Sequence, residues 1–118
     1  MTTEPILNQQ ILSHLEELLG DSYHLVLETY ISSSQTLIEN LDEAMKSNDL
    51  ILLSQYAHPL KSSSLQIGAV TLSECAAQIE NPAKESDLKS MQELVSYCQT
   101  LHGQVISELR NILQEDCQ

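Results

Sequence analysis

The last stretch of the chain, residues 87–114, reads DLKSMQELVSYCQTLHGQVISELRNILQ and has the clearest periodicity in the sequence. Its seam positions recur in alternating steps of three and four, as expected when one stripe of a helix faces the interior of a bundle. These positions are Leu88, Met91, Val95, Cys98, His102, Val105, Leu109 and Ile112. A helix of this length rises ~1.5 Å per residue and spans roughly 40 Å. We therefore predict that it forms one long side of a helical bundle.

The chain before this stretch divides into four segments with helical periodicity, separated by glycine, proline or clusters of capping residues. We predict a first helix over about 6–19, a second capped by Asp21 or Ser22 and closed by residues 47–49, a third over about 49–67 and a fourth over about 69–80. Residues 81–86 are predicted to be a polar connector. The predicted fold is all-α, an antiparallel four-helix bundle with a short additional N-terminal helix, in a single domain covering residues 1–118.

The composition agrees with an all-helical core. Among 118 residues 42% are hydrophobic, and neither Phe nor Trp occurs, so Leu, Ile, Val, Met and Ala must fill the interior. The formal charge is −12 with only five Lys and Arg, which are scattered along the chain. Without a basic patch, binding to nucleic acid or to an anionic membrane is not expected.

Cysteine usage and the N-terminus indicate a cytoplasmic protein. Cys75, Cys98 and Cys117 are odd in number and too far apart for a CxxC motif, so we expect reduced thiols. The start of the chain lacks the basic region of a signal peptide, and no segment reaches the ~20 apolar residues of a membrane span.

The chemically distinctive residues lie on the third predicted helix. Advancing about 100° per residue places His58 on the face that points away from the core. The residues expected on that outward face are Ile51, Ser54, Gln55, Lys61, Ser62 and Leu65, and those expected on the inward face are Leu53, Tyr56, Leu60, Ser63, Ser64 and Ile67.

A lone histidine is more often a packed or incidental residue than a functional one, but the neighbours of His58 favour function. Lys61 lies one turn further on, where its ammonium can reach a negative group attached to the imidazole, and Ser62 offers a hydroxyl beside it. No carboxylate occurs between Asp49 and Glu74, although the chain has 17 acidic residues. We therefore expect the surroundings of His58 to be free of like charges that would oppose a phosphate.

These residues resemble a known family. Residues 57–64, AHPLKSSS, followed by Gly68-Ala69 and Leu72 and then by Ile79-Glu80, are similar to the signature of the histidine phosphotransfer (HPt) domain. The family pattern has Ala-His-x-Leu-Lys-Gly, a Gly-Ala pair and a Leu-Glu pair at the end of the next helix. Within the family, residues 6–10 and the Lys61-Ser62-Ser63 variant resemble the quorum-sensing phosphorelay proteins of vibrios.

The resemblance implies a function for His58. A neutral ring nitrogen, normally Nε2, would accept a phosphoryl group from the aspartyl phosphate of a receiver domain and pass it to a second receiver domain in two-component signalling. The partners implied are the receivers of a hybrid sensor kinase and of a response regulator. Mg²⁺ would be held by the receiver, so this chain is expected to need no metal and no cofactor and to act as a monomeric phosphocarrier. No ATP-binding glycine motif occurs, so an enzyme that uses ATP is not expected.

Three positions depart from the family pattern. Ser62 replaces the usual Gly, which leaves less room for a partner. Pro59 lies inside the helix, where it removes a hydrogen bond to the carbonyl of Gln55, so we predict a bend there. Cys75 lies one position before the usual Cys.

The face of the third helix that carries His58 also contains a predicted docking surface. Ile51 and Leu65 flank His58 as exposed apolar residues, and with Gln55 they form the predicted receiver-binding surface.

The alternative function is that of an HPt-like adaptor that binds a kinase or receiver without being phosphorylated. A dimerisation bundle is disfavoured by His102 and Gly103 in the last seam. His14, His24 and His102 lack metal-ligand spacing, and the serines at 62–64 lack the turn that a hydrolase nucleophile needs.

Overall fold

The structure is a computed structural model that describes residues 5–82 and 87–116. It contains α1 (Gln9–Leu19), α2 (Tyr23–Lys46), α3 (Leu50–Gln66), α4 (Val70–Glu80) and α5 (Leu88–Asp116). A single 3-10 turn, Gly20–Ser22, joins α1 to α2. Lys84, Cys117 and part of the predicted 81–86 connector lie outside the described residues.

Capping side chains set where α1 and α3 begin. The predicted side-chain cap of α2 by Asp21 or Ser22 is wrong, since α2 follows the 3-10 turn and Ser22, at its N-cap position, makes no capping hydrogen bond. Asn8 accepts a hydrogen bond from the Ile11 amide at 3.0 Å, so α1 starts at Gln9 and not at residue 6 as the periodicity predicts. Asp49 caps α3 in the same way, accepting from the Leu52 amide at 3.0 Å. Asn48 has a φ of +53°, which turns the chain out of α2 directly before this cap. The predicted roles of the 47–49 cluster are confirmed.

Gly68 allows the tight turn from α3 to α4. Its φ is +86°, a conformation that side chains rarely adopt, and a Cβ there would lie 3.0 Å from the Asn8 carbonyl oxygen. The Asn8 amide also donates to the Gly68 carbonyl oxygen at 2.8 Å. The segment before α1 is therefore fastened to the α3–α4 turn.

The predicted antiparallel four-helix bundle with an added N-terminal helix is confirmed. Short connections join consecutive helices, α3 packs against α2 and α4, and α5 packs against α4 and α2. The core is mainly aliphatic, with Tyr23 and Tyr30 as its aromatic residues, and its largest fully buried side chains include Leu27, Leu41, Leu53, Leu60, Leu72 and Leu109. Within the described ranges, no helix is long and apolar enough to cross a membrane.

Polar contacts between α2 and its neighbours lie within this core. The Tyr30 hydroxyl lies 2.8 Å from Ser64 Oγ and links α2 to α3. Ser34 Oγ lies 2.8 Å from His102 Nε2 and links α2 to α5. Burial raises the pKa of Tyr30 to about 12 and lowers the pKa of His102, so both groups are neutral near neutral pH.

Candidate functional site

His58 lies at the surface in the middle of α3. Its side chain is 63% exposed, whereas Ala57 and Leu60 on either side of it in the sequence are fully buried. The expected outward direction of His58 is confirmed. Leu53 and Ser64 lie in the core as expected, and Tyr56 and Ser63 are half-buried.

Glu80, the last residue of α4, contacts two side chains on this face, His58 and Lys61. Glu80 Oε2 lies 2.6 Å from His58 Nδ1, and Glu80 Oε1 lies 2.6 Å from Lys61 Nζ. The Glu80 side chain is only 16% exposed and Lys61 is 33% exposed. One carboxylate therefore holds the histidine ring with one oxygen and the lysine ammonium with the other.

Hydrogen bonds between α3 and α4 fix the positions of these residues. The Ser54 hydroxyl donates to the Glu80 carbonyl oxygen at 3.0 Å, and the Ser73 hydroxyl donates to the Lys61 carbonyl oxygen at 2.8 Å. Side chains on a helix lean toward its N-terminus. Because the two helices are antiparallel, Lys61 and Glu80 lean toward each other, and they meet at the level of His58.

The charges of the site determine which ring nitrogen is available. The Lys61 ammonium, supported by the hydrogen bond from His58, holds the pKa of Glu80 below its usual value against the opposing effect of burial. An ionised carboxylate only accepts hydrogen bonds, so the proton between it and the ring must belong to Nδ1. In the neutral ring, Nε2 then carries the free electron pair and is not engaged by Glu80.

The expectation that no carboxylate approaches His58 is wrong. The gap between Asp49 and Glu74 is real along the chain, but the α3–α4 turn brings Glu80 back beside His58. Ser54 is likewise not a free outward residue, since it bonds to the end of α4. The signal that could have located Glu80 was the Ile79-Glu80 pair, which stands where the family has Leu-Glu.

The other predicted site residues share the surface of His58. Ser62 and Gln55 are exposed. Ile51 is 73% exposed and Leu65 is 51% exposed, and they lie on α3 before and after His58. The structure thus keeps two large apolar side chains in water on either side of the histidine, as the docking prediction requires, while their contact with a partner stays a prediction.

Pro59 lies inside α3, which continues through it from Leu50 to Gln66. Proline has no amide hydrogen, so the ladder of helical hydrogen bonds lacks one donor at this position. The Ser63 hydroxyl donates to the Pro59 carbonyl oxygen at 2.9 Å, one turn further on. The predicted bend between Gln55 and Pro59 stays a prediction.

The part of the chain that the structure describes contains no cluster of side chains that could bind a metal ion. No group of three or more His, Cys, Asp or Glu side chains there is close enough to hold a metal ion. His14 lies on α1, His24 lies on α2, and His102 is buried in the α5 seam.

Comparisons with known proteins agree with this geometry. Residues 25–115 match the Hpt domain family. The chain is 34% identical over 99 residues to the phosphorelay protein LuxU of Vibrio vulnificus (strain YJ016), which covers 82% of this chain and 86% of that protein. It is 33% identical over 85 residues to LuxU of Vibrio harveyi, covering 71% of this chain and 75% of that protein.

A solved structure shows the same architecture. The crystal structure of histidine-containing phosphotransfer protein B (HptB) from Pseudomonas aeruginosa PAO1 superimposes with a TM-score of 0.88 at 25% identity, covering 96% of this chain and 98% of that chain. The family match spans α3, α4 and nearly all of α2 and α5, and therefore includes every residue of the His58 site. By sequence and by structure, the chain belongs to the Hpt domain family.

Proposed function

We propose that this protein is a phosphorelay intermediate in two-component signalling, with His58 as the phosphoryl acceptor. The proposal depends chiefly on one observation, an exposed imidazole whose Nδ1 is hydrogen-bonded to Glu80 while Nε2 remains available. The relatives named as phosphorelay proteins support the same role.

The proposed reaction is a direct transfer between an aspartyl phosphate and the ring. The Nε2 electron pair forms the new N–P bond, the bond between phosphorus and the aspartyl oxygen breaks, and the free carboxylate leaves with the electron pair. The ring gains positive charge, and the adjacent Glu80 carboxylate offsets it through the Nδ1 proton. Phosphoryl transfer depends mainly on alignment and charge stabilisation, which these contacts supply. The second receiver takes the group by the reverse reaction.

Lys61 and Ser62 are proposed to interact with the phosphoryl oxygens. In the unphosphorylated protein, Lys61 is paired with Glu80. This pairing holds the ammonium near His58, which lies one helical turn before Lys61. A phosphoryl group on Nε2 would compete with Glu80 for this ammonium. The Ser62 hydroxyl, exposed on the same face, is a second hydrogen-bond donor.

The proposed partners are receiver domains of a hybrid sensor kinase and of a response regulator, which would dock on Ile51, Gln55 and Leu65. Transient interfaces have a small apolar centre within a polar rim, and this face provides both. We place the protein in the cytoplasm as a monomeric phosphocarrier without an ATP site.

The experiment that tests the acceptor is phosphorylation by a receiver carrying labelled aspartyl phosphate. We expect an acid-labile, base-stable phosphate on the wild-type protein and none on His58→Gln, with unchanged helical circular dichroism. His14→Gln is the matched control, because His14 is also an exposed helix histidine. Continued labelling of His58→Gln would show that another residue accepts the phosphate.

A further inference from the structure

Two cysteines meet in the core where α4 packs against α5. Cys75 on α4 is 3% exposed, Cys98 on α5 is fully buried, and both are free thiols. Neither lies within the His58 site or has a part in the proposed transfer.

Hydrogen bonds place the two sulfur atoms next to each other. The Cys75 thiol donates to the Leu94 carbonyl oxygen at 3.5 Å. In an α-helix this carbonyl is also the acceptor of the Cys98 amide, so the Cys75 sulfur lies at the turn of α5 that carries Cys98. The pKa values of the two thiols also depend on each other, since Cys98 lowers that of Cys75 and Cys75 raises that of Cys98. The contact of Cys75 with the Leu94 carbonyl oxygen is the geometric basis for the proximity of the pair, and the mutual pKa effects agree with it.

We propose that Cys75 and Cys98 form a reversible disulfide when the protein meets a peroxide, and that this bond links α4 covalently to α5. Disulfides require Cα atoms no more than about 7 Å apart and Cβ atoms that face each other, which neighbouring packed helices can provide. Because the Cys75 sulfur already reaches the turn of α5 that carries Cys98, a small approach of the two helices can bring the sulfurs to bonding distance.

The chemistry assigns different roles to the two sulfurs. The hydrogen bond from Cys98 lowers the pKa of Cys75 although burial opposes this, whereas its bond to Cys75 and its burial both raise the pKa of Cys98. The Cys75 thiolate is therefore the sulfur that attacks the peroxide. Its attack breaks the O–O bond and leaves a sulfenic acid on Cys75 and one water, once the released hydroxide has taken up a proton.

The Cys98 sulfur then completes the bond. It attacks the sulfenic sulfur, loses its proton and expels the hydroxyl group as a second water. In total, two thiols and one hydrogen peroxide give one disulfide and two waters. Burial makes the first step slower than for an exposed thiol, so the bond is expected after sustained exposure to the oxidant.

The disulfide would enclose residues 75–98, a segment that contains the end of α4 and therefore Glu80. A cross-link of this kind restricts the unfolded chain and stabilises the folded one. We expect a higher melting temperature for the oxidised protein than for the reduced protein. Since Cys75 and Glu80 both lie on α4, the disulfide would also connect the oxidation of the two cysteines to the helix that positions Glu80 beside His58.

Peptide mapping of the intact folded protein tests the bond. The protein is treated with hydrogen peroxide, its remaining thiols are alkylated under denaturing conditions, and it is digested with trypsin. We expect peptides 62–84 and 90–110 to be recovered as one species that a thiol reductant separates. The Cys117→Ser variant should give the same peptide map without disulfides between molecules. If this variant folds poorly, wild-type protein at low concentration is used for the same mapping.

Cys98→Ser is the matched variant. It should lose both the joined peptides and the rise in melting temperature on oxidation. Peptides 62–84 and 90–110 recovered separately from peroxide-treated wild type, with alkylated or over-oxidised cysteines, would overturn the proposal. So would a Cys75 joined mainly to Cys117.

Discussion

Lowering the pH should destabilise the fold through His102 before the carboxylates of Glu80, Asp42 and Asp87 are protonated. His102 is buried, and burial lowers its pKa from the ordinary value of 6.5. His102 therefore binds a proton near pH 6.5 in the unfolded chain, whereas in the folded protein it binds this proton only at a lower pH. The unfolded state holds more protons in this interval, so stability falls as the pH falls from above 6.5 toward the folded pKa.

The size of the effect follows from this difference in proton binding. If folded His102 stayed neutral, lowering the pH from about 7.5 to about 5.5 would reduce the free energy of unfolding by ~1.4 kcal/mol. His102 borders a groove of about 430 Å³ between α2 and α5, where water can approach the ring. We therefore expect roughly half the limit, ~0.7 kcal/mol. At about 2.1 cal/mol/K of unfolding entropy per residue, this corresponds to a fall of ~3 °C in melting temperature.

Thermal unfolding followed by circular dichroism at several pH values measures this change. His102→Gln is the matched variant, because its amide can still reach Ser34 but does not titrate. Glu80 has a pKa below 4.5, and Asp42 and Asp87 have pKa values below 3.8, so their stabilising contributions are lost only at lower pH. Equal pH slopes for wild type and His102→Gln between about pH 7.5 and 5.5 would refute the assignment to His102.

Four further predictions concern the site and its helix. Lys61→Ala should fold normally and accept phosphate several-fold more slowly in a single-turnover assay, whereas an unchanged rate would remove its proposed role. Glu80→Gln should slow transfer roughly five- to tenfold, as a charged hydrogen bond becomes a neutral one; a rate equal to wild type would contradict its proposed effect on the ring. Leu65→Glu and Ile51→Glu should leave the fold intact and weaken receiver binding roughly tenfold or more in calorimetry, because an unpaired charge enters the contact; unchanged affinity would place docking on another face. Pro59→Ala should raise the melting temperature, since proline is costly inside a helix, and no rise would show that α3 is already adapted to it.

Local sequence patterns were sufficient to predict the helices. The Asn48-Asp49 boundary acts through contacts within a few residues. The alternating apolar positions of α5 and the glycine at position 68 can also be recognised along the chain, although Leu88 is exposed and the partner of Gly68 is the distant Asn8. The outward direction of His58 followed from helical periodicity alone. The start of α1 was predicted too early because apolar Leu7 continues the stripe, although it is buried ahead of the cap at Asn8.

Contacts between helices could not be derived from periodicity. Ser34 on α2 pairs with His102, which lies far along the chain on α5. Glu80 was missed for the same reason, since its partners His58 and Lys61 belong to another helix. Such pairs depend on the register of packed helices, and a single sequence specifies that register only through the complete set of core contacts.

The presence of Glu80 beside the proposed phosphate acceptor His58 is compatible with the proposed relay because of the shape of imidazole. Nδ1 and Nε2 lie on different sides of the ring, so the carboxylate bonded to Nδ1 does not occupy the position where phosphorus would approach Nε2. Lys61 already neutralises this carboxylate, which limits its repulsion of an incoming phosphate. During acceptance, Glu80 would offset the positive charge that develops on the ring. During donation, it would retain the proton at Nδ1, and a cationic ring is the better leaving group. One carboxylate can therefore assist transfer in both directions, as a relay intermediate requires.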